Sequence, residues 1–193
     1  MKNLSHFIRA YDEVLSKEGC QNFINMYEDE VRKGESEYLR KSDHQWNEDY
    51  RSFMELNITQ VDSFKPYLEE YYARLKNVYD HYKNAVDFKF CPPKFAFEDA
   101  RLKKYEANDY DQFGWHTDIG NKASASRFLV MFMYLNDVAE GGTTEFEDDN
   151  GICTINPVSG RILVFPPMWL FPHRGTKPVS GPKYILSTYL HYI

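Results

Sequence analysis

The spacing of apolar side chains divides the chain into a helical first half and a strand-rich second half. Two stretches carry apolar residues three and four positions apart, which is the periodicity of an amphipathic helix packed on one face. The first stretch follows Ser16, a good helix N-cap, and stops at Gly34. The second occupies residues 60–86 and has tyrosine at many of its apolar positions. Residues 35–56 between them are polar, and we expect irregular structure there.

After residue 91 the chain consists of short apolar runs separated by Gly, Pro, Asn and Asp, which is typical of strands joined by turns. The run 128–135 is apolar on both faces, as expected of a strand covered on both sides. The spacing of the runs predicts an all-β sandwich or barrel. We therefore expect a single domain over residues 1–193, in which a helical support region (1–90) buttresses a strand-rich core (91–193).

Composition narrows the class of protein. The chain is 42% hydrophobic and contains 14 Phe and 15 Tyr, which is enough for a sizeable core, and its net charge of −6 disfavours a broad nucleic-acid surface. No apolar run suits a signal peptide or a membrane span. Cys20, Cys91 and Cys153 lack the spacing of a thiolate metal site or a redox pair. We expect a cytoplasmic protein with reduced thiols and no membrane attachment.

The stretch FGWHTDIG, residues 113–120, contains the first candidate chemistry. If WHTD is extended, His116 and Asp118 project from the same face, because side chains alternate along a strand. An imidazole and a carboxylate side by side supply two of the three ligands of a 2-His-1-carboxylate iron site. The pair alone is weak evidence, since it equally describes a solvated histidine beside a turn aspartate.

Two residues farther along the chain strengthen the metal interpretation. His173, in LFPHRG, follows an apolar strand and could supply the third ligand, although a lone loop histidine more often only forms hydrogen bonds. Lys183 begins the strand KYILSTYL, and alternation gives one face of that strand Lys183, Ile185, Ser187 and Tyr189. A lysine that faces a barrel interior needs an anion, because a buried unpaired ammonium is costly. A dicarboxylate cosubstrate would supply one.

The joint order of these motifs resembles a known family. H-x-D, then YLND, then EGGTTEF, then a distal His followed ten residues later by Lys is similar to the prolyl 4-hydroxylase-like branch of the Fe(II)/2-oxoglutarate dioxygenases. The resemblance covers roughly residues 98–192 and extends weakly to YDEVLSKEGCQNFINMYE. It implies a mainly β fold with N-terminal helices, namely a double-stranded β-helix (jelly-roll) barrel. It also implies hydroxylation of an unactivated C–H bond while 2-oxoglutarate and O2 become succinate and CO2.

The resemblance also assigns site residues. It implies that His116, Asp118 and His173 hold Fe(II), and that Lys183 pairs with the far carboxylate of 2-oxoglutarate. The further cosubstrate contacts that it implies are Tyr105, Tyr134 and Ser187. Ascorbate is the additional cofactor that it suggests. The GGTTEF element, which contains Thr144, is interpreted as turn and strand structure rather than as chemistry.

The substrate is defined less sharply than the metal site. By the resemblance it is a prolyl residue in a protein or peptide, and the runner-up is a free amino acid or another small molecule. The polar loop 106–114 could close over a bound substrate. Aromatic and basic residues near the triad are candidate substrate contacts: Tyr110, Trp115, Arg127, Trp169 and Arg174. For the arginines, a strand-end salt bridge is the ordinary alternative.

Two other classes of protein compete with an oxygenase. A non-oxidative metal cupin that uses Zn or Mn could have the same three ligands, but Lys183 would then have no obvious role. A binding module that has lost turnover is disfavoured by the complete triad. The joint order of the motifs therefore favours the oxygenase.

Overall fold

The computed structural model describes residues 4–34, 36–46, 49–87, 89–148 and 151–193. The α-helices in these ranges are α1 (Lys17–Lys33) and α2 (Lys65–Val86). The strands are β1 (Arg9–Tyr11), β2 (Leu39–Trp46), β3 (Asp49–Asn57), β4 (Ala96–Phe97), β5 (Arg101–Tyr105), β6 (Gln112–His116), β7 (Arg127–Tyr134), β8 (Thr144–Asp148), β9 (Gly151–Ile155), β10 (Ile162–Phe165), β11 (His173–Gly175) and β12 (Lys183–His191). No helix in these ranges is long and apolar enough to span a membrane.

Both predicted helices are confirmed, and local signals fix their ends. The Ser16 hydroxyl accepts a hydrogen bond from the Gly19 amide at 3.1 Å, which caps the N-terminus of α1. Gly34 ends α1 in the left-handed conformation, at φ 69°, where a residue without Cβ has no steric penalty. Pro66 lies in the first turn of α2, where its missing N–H would have no partner within the helix.

The strands form one antiparallel sheet that curls into a nearly closed jelly-roll barrel. Its spatial order is β1-β10-β7-β12-β5-β3-β6-β11-β8-β9, with β2 added to β3 and β4 added to β12. Neighbours in space such as β10, β7 and β12 are far apart along the chain, which is the connectivity of a double-stranded β-helix. The predicted fold class, a mainly β barrel with N-terminal helices, is confirmed.

Strand β7 shows how the sheet separates two cores. Its residues Leu129, Met131 and Met133 belong to the same buried cluster as the apolar faces of α1 and α2. The alternate residues, from Val130 to Tyr134, fill the barrel interior instead. A strand that is apolar on both faces is therefore covered on both sides, as the sequence predicts. Burial of one large aliphatic side chain is worth roughly 1.5–3 kcal/mol.

The expectation of irregular structure in residues 35–56 is wrong, because this segment contains the β2–β3 hairpin. Strand β3 pairs with β5 through Met54–Asn57 and with β6 through Arg51 and Ser52, so it joins two strands of the barrel. The sequence LRKSDHQW of β2 has polar residues at both alternating sets of positions, so the apolar alternation that predicts a strand is missing. The segment interpreted as helical support thus contributes strands to the barrel.

Asp111 fastens the predicted lid loop to the hairpin. Its carboxylate, 1% exposed, accepts hydrogen bonds from the Ser52 hydroxyl at 2.6 Å, the Glu106 amide at 2.9 Å and the Lys41 ammonium at 3.0 Å. Burial alone would raise the pKa of Asp111, but these hydrogen bonds hold it below its ordinary value. The loop is therefore anchored at Asp111. Its last residues, from Gln112, belong to β6.

Replacing Asp111 by Ala should destabilise the fold, because buried donors would lose their acceptor. We expect the free energy of unfolding at pH 7 to fall by roughly 2–4 kcal/mol in urea denaturation. Asp109→Ala, at an exposed position of the same loop, is the matched control. Because the folded-state pKa of Asp111 is lowered, its contribution is fully present above about pH 4 and shrinks as the pH falls toward that lowered value. Equal unfolding midpoints for the two variants at pH 7 would contradict this role.

Candidate metal centre

Strand pairing brings the three predicted metal ligands together. Strands β6 and β11 are antiparallel neighbours, and their register places His116 directly opposite His173. Asp118 follows His116 by two residues, and its backbone N–H donates to the Pro167 carbonyl at 3.1 Å, which ties it to the segment leading into β11. One ligand atom from each of the three side chains lies within 4.8 Å of the others.

The free ring nitrogens face the carboxylate. Asp118 Oδ1 is 3.4 Å from His116 Nε2, and Asp118 Oδ2 is 3.7 Å from His173 Nε2. His116 Nδ1 lies 2.8 Å from the Gly114 carbonyl oxygen. His173 Nδ1 lies 3.0 Å from the Phe171 carbonyl oxygen. Because a carbonyl only accepts, each Nδ1 carries the proton, and each Nε2 lone pair is left for a metal.

The protonation states suit a divalent cation. Burial lowers the pKa of His173 to about 4, so this imidazole is neutral at pH 7. Burial alone would raise the pKa of Asp118, but His173 and His116 hold it well below its usual range. Two imidazoles and a carboxylate are the donor set that non-haem Fe(II) prefers. These three residues therefore fit the metal that the sequence predicts.

An inner cavity extends from the three ligands to Lys183. Lys183 is 2% exposed. Its Nζ donates one hydrogen bond to the Gly142 carbonyl at 3.1 Å and lies 4.5 Å from the centre of the Tyr105 ring. Within the described ranges Lys183 forms no ion pair. Burial lowers the pKa of Lys183 to about 7. Further residues of the cavity wall are Thr144, Gly175, Ile185 and Ser187.

The other two predicted cosubstrate residues occupy different positions. The Ser187 hydroxyl lies at the wall of the inner cavity and donates to the Arg101 carbonyl at 3.3 Å. Tyr134 is fully buried and donates to Thr144 Oγ1 at 2.7 Å, so it stands behind Thr144. Thr144 itself borders the cavity. The GGTTEF element, interpreted as turn and strand structure, thus also contributes Thr144 to the cavity wall.

On the outer side, His116 and Asp118 border a mouth cavity of about 630 Å³, which the β2–β3 hairpin covers. Of the predicted substrate contacts, Trp115 and Arg127 line it. Arg127 is held by Glu98 through hydrogen bonds of 2.7 and 2.8 Å, and it donates to the Asp118 backbone carbonyl at 3.3 Å. Its observed contacts thus brace the ligand segment.

The remaining predicted substrate contacts lie outside the mouth. Arg174 pairs with Glu145 at 2.8 Å, and its guanidinium lies 5.0 Å from the Trp115 ring. Tyr110 and Trp169 are 66% and 75% exposed. Arg127 and Arg174 thus both form salt bridges, which was the ordinary alternative to a substrate contact.

Sequence reasoning missed several residues of the two cavities. Lys103 lines both cavities, and alternation in RLKKY could have found it, because it shares a face with Tyr105. The ring of Phe113 stacks on His116 with centroids 3.4 Å apart. Arg51 and Glu55 reach the mouth from β3. No signal pointed to them, because the strand that carries them was not predicted.

Comparison with known proteins now identifies the family. Residues 100–191 match the model of the 2OG-Fe(II) oxygenase superfamily. The matched region, which contains the three ligands and Lys183, is that of a 2OG-Fe(II) oxygenase. This confirms the predicted enzyme class, a 2-oxoglutarate/Fe(II)-dependent dioxygenase. The family implies Fe(II), 2-oxoglutarate and O2, for which the triad and Lys183 are the candidate site in this oxygenase. No curated protein matches its sequence.

Solved prolyl hydroxylases share the fold of this oxygenase. A viral collagen prolyl hydroxylase from Paramecium bursaria Chlorella virus-1 is 18% identical, with 97% of each chain covered and a TM-score of 0.63. A Pseudomonas putida prolyl-4-hydroxylase is 16% identical, with 98% of this chain and 94% of that chain covered and a TM-score of 0.66. A Trichoplax adhaerens prolyl hydroxylase, solved with a hypoxia inducible factor peptide fragment, is 14% identical, with 97% and 84% covered and a TM-score of 0.74. At these identities the likeness is one of fold.

Replacing His173 by Ala should remove metal binding, because two donors cannot hold Fe(II) as three do. We expect the affinity for Fe(II), measured by anaerobic equilibrium dialysis, to fall by at least about a hundredfold, since loss of a supporting hydrogen bond alone costs tenfold to a hundredfold. His81→Ala, at an exposed position on α2, is the matched control. Stoichiometric Fe(II) in the His173 variant would rule out its role as a ligand.

Proposed function

We propose that this oxygenase hydroxylates an unactivated C–H bond of a prolyl residue in a protein or peptide. The alternative is the same chemistry on a free amino acid or another small molecule. In this proposal His116, Asp118 and His173 hold Fe(II), and Lys183 pairs with the far carboxylate of 2-oxoglutarate. When bound, Fe(II) with 2-oxoglutarate and O2 supplies the oxidation, in which 2-oxoglutarate becomes succinate and CO2.

The buried ammonium of Lys183 is the observation that carries the cosubstrate assignment. A buried cation with no carboxylate among the described residues is costly, and an anionic ligand would offset that cost. Lys183 and the triad border one cavity, so a dicarboxylate could reach from the metal to the ammonium. Ser187 and Thr144 also line this cavity. A non-oxidative cupin would leave Lys183 without a function.

The surrounding side chains hold the ligands in place and exclude water. Phe165 and Phe146 lie 4.7 and 5.7 Å from the His173 ring, between centroids, and Phe113 covers His116. With both Nδ1 atoms engaged by backbone carbonyls, the two imidazoles have one orientation available. The chain thus supplies geometry and a largely apolar enclosure, and the chemistry of oxidation comes from the metal and its cosubstrate.

The size of the mouth supports a peptide substrate. Its volume of about 630 Å³ exceeds what one free amino acid fills and suits a short peptide segment. The shared fold with prolyl hydroxylases, one of which was solved with a peptide fragment, supports the same choice. A cytoplasmic location, which fits the three free cysteines, and ascorbate as an accessory reductant are further parts of this proposal.

Anaerobic addition of 2-oxoglutarate to the Fe(II)-loaded protein should produce the weak visible charge-transfer band of iron chelated by a 2-oxo acid. The band should be absent with Zn(II) in place of Fe(II), because zinc has no accessible redox state. Titration of the band gives the affinity for 2-oxoglutarate. If iron is bound at one equivalent and no band forms, the proposed function fails.

Lys183→Ala should weaken 2-oxoglutarate binding while leaving the iron content unchanged. A charge-assisted hydrogen bond and an ion pair are lost, so the half-saturating concentration in the same titration should rise by roughly a hundredfold. Lys122→Ala, which removes an exposed lysine, is the control and should match the parent protein. A loss of iron in the Lys183 variant, or an unchanged half-saturating concentration in a variant that keeps its iron, would show that the assigned role is wrong.

A further inference from the structure

The mouth cavity carries more positive charge than its own carboxylates balance. Six cationic side chains are among its described lining residues, against three carboxylates, one of which is the candidate metal ligand Asp118. The chain as a whole has a net charge of −6, so this excess is local. The six cations are Arg40, Lys41, Arg51, Arg101, Lys103 and Arg127.

Two of these cations have partners that explain their positions. Lys41 pairs with Asp111 at 3.0 Å, and Arg127 pairs with Glu98 at 2.7 Å. Both pairs connect strands or loops at the rim of the mouth. They neutralise their own cations and leave four positive charges to be accounted for.

Glu55 is shared by three of the remaining four. Its carboxylate, 4% exposed, accepts hydrogen bonds from Arg40 at 2.9 Å and from Arg101 at 3.2 Å. The Lys103 ammonium lies 3.7 Å from the other carboxylate oxygen. One carboxylate cannot balance three positive charges, so this cluster retains a net positive charge at the mouth.

Arg51 is the cation that lacks a counter-ion within the described ranges. Its Nε is buried and has no hydrogen-bond partner among those residues, and its guanidinium lies 5.6 Å from the centre of the Phe113 ring. The β3–β6 register places Arg51 opposite Phe113, and the Phe113 ring stacks on His116. A single aromatic ring therefore separates this guanidinium from a candidate metal ligand.

We infer that the mouth is an anion subsite, in which Arg51 binds a carboxylate of the substrate close to the C–H bond that is oxidised. The inference rests on the proposed function, because it takes the mouth as the place where the substrate enters. A guanidinium presents two parallel N–H donors to a carboxylate, and a partly buried one without a partner gains the most from such a pair. The Glu55 cluster adds a positive field that favours the same charge.

The carboxylate could come from two sources, namely an acidic residue next to the proline of a peptide or a free amino acid. Lys183 does not compete for it, because Lys183 lies in the inner cavity and is assigned to the cosubstrate. Arg127 and Arg174, the two arginines among the predicted substrate contacts, already have carboxylate partners in Glu98 and Glu145.

The test uses the full chain loaded with Fe(II) and supplied with 2-oxoglutarate and O2, and it measures substrate-stimulated formation of succinate. Proline-containing peptides are compared in pairs that differ only in Glu against Gln, or Asp against Asn, beside the proline. The small-molecule arm compares free proline with prolinamide. We expect kcat/KM for the carboxylate-bearing member to exceed that of its neutral partner by roughly tenfold to a hundredfold.

Arg51→Gln should reduce this preference to about twofold or less, because the charge that recognises the carboxylate is gone. Arg51→Lys should retain part of the preference, since it keeps a point charge without the planar pair of donors. Arg32→Gln, at an exposed position on α1, is the control and should keep the full preference. If Arg51→Gln fails to give the 2-oxoglutarate charge-transfer band, the milder Arg51→Lys variant becomes the readout.

The outcomes separate this inference from the proposed function. Turnover of neutral proline peptides at the same rate as acidic ones would keep the prolyl function and refute the anion subsite, as would a preference that survives in both Arg51 variants. Turnover of free proline, but of neither prolinamide nor any peptide, would keep the subsite and refute the peptide substrate. Stimulation by none of these compounds would refute both.

Discussion

The pairing of strand β6 with β11 is the constraint on which the candidate site depends. The register sets His116 opposite His173, and Asp118 follows where the chain leaves β6. A slip by one residue would turn one of the histidines to the other face of the sheet, because side chains alternate along a strand. The barrel core and the hydrogen bond from the Asp118 N–H to the Pro167 carbonyl help to hold this register, so the strand pairing that builds the barrel also brings the three ligands together.

Cationic side chains that lack a matching carboxylate lie in two places, one on each side of the three ligands. Lys183 lies in the inner cavity, and Arg51 and the Glu55 cluster lie at the mouth, with the anionic Asp118 between them. Desolvated cations favour any anion that can reach them, and a ligand that binds only the folded chain stabilises it. Under the proposed function, the inner charge selects the cosubstrate and the outer charge selects the substrate, so two acidic ligands would not exchange places.

Much of the site was predictable because its signals are local. Alternation in WHTD and KYILSTYL gave the facing of His116, Asp118 and Lys183, and motif order supplied His173. The hairpin that covers the mouth was not predictable, because β2 lacks apolar alternation and β3 is held by pairing with two strands distant in the sequence. The position of Arg127 also depends on a long-range contact. Its partner Glu98 lies 29 residues away and could not be identified from sequence spacing.

A crystal structure of the chain grown anaerobically with Fe(II) and 2-oxoglutarate would test the account most directly. We expect one metal ion bound by His116, Asp118 and His173, with metal–ligand distances of about 2.0–2.2 Å. The far carboxylate of 2-oxoglutarate should lie within about 3 Å of Lys183 Nζ. A metal ion bound elsewhere, or a far carboxylate turned to Arg51 at the mouth, would contradict the division of the site into an inner cosubstrate cavity and an outer substrate cavity.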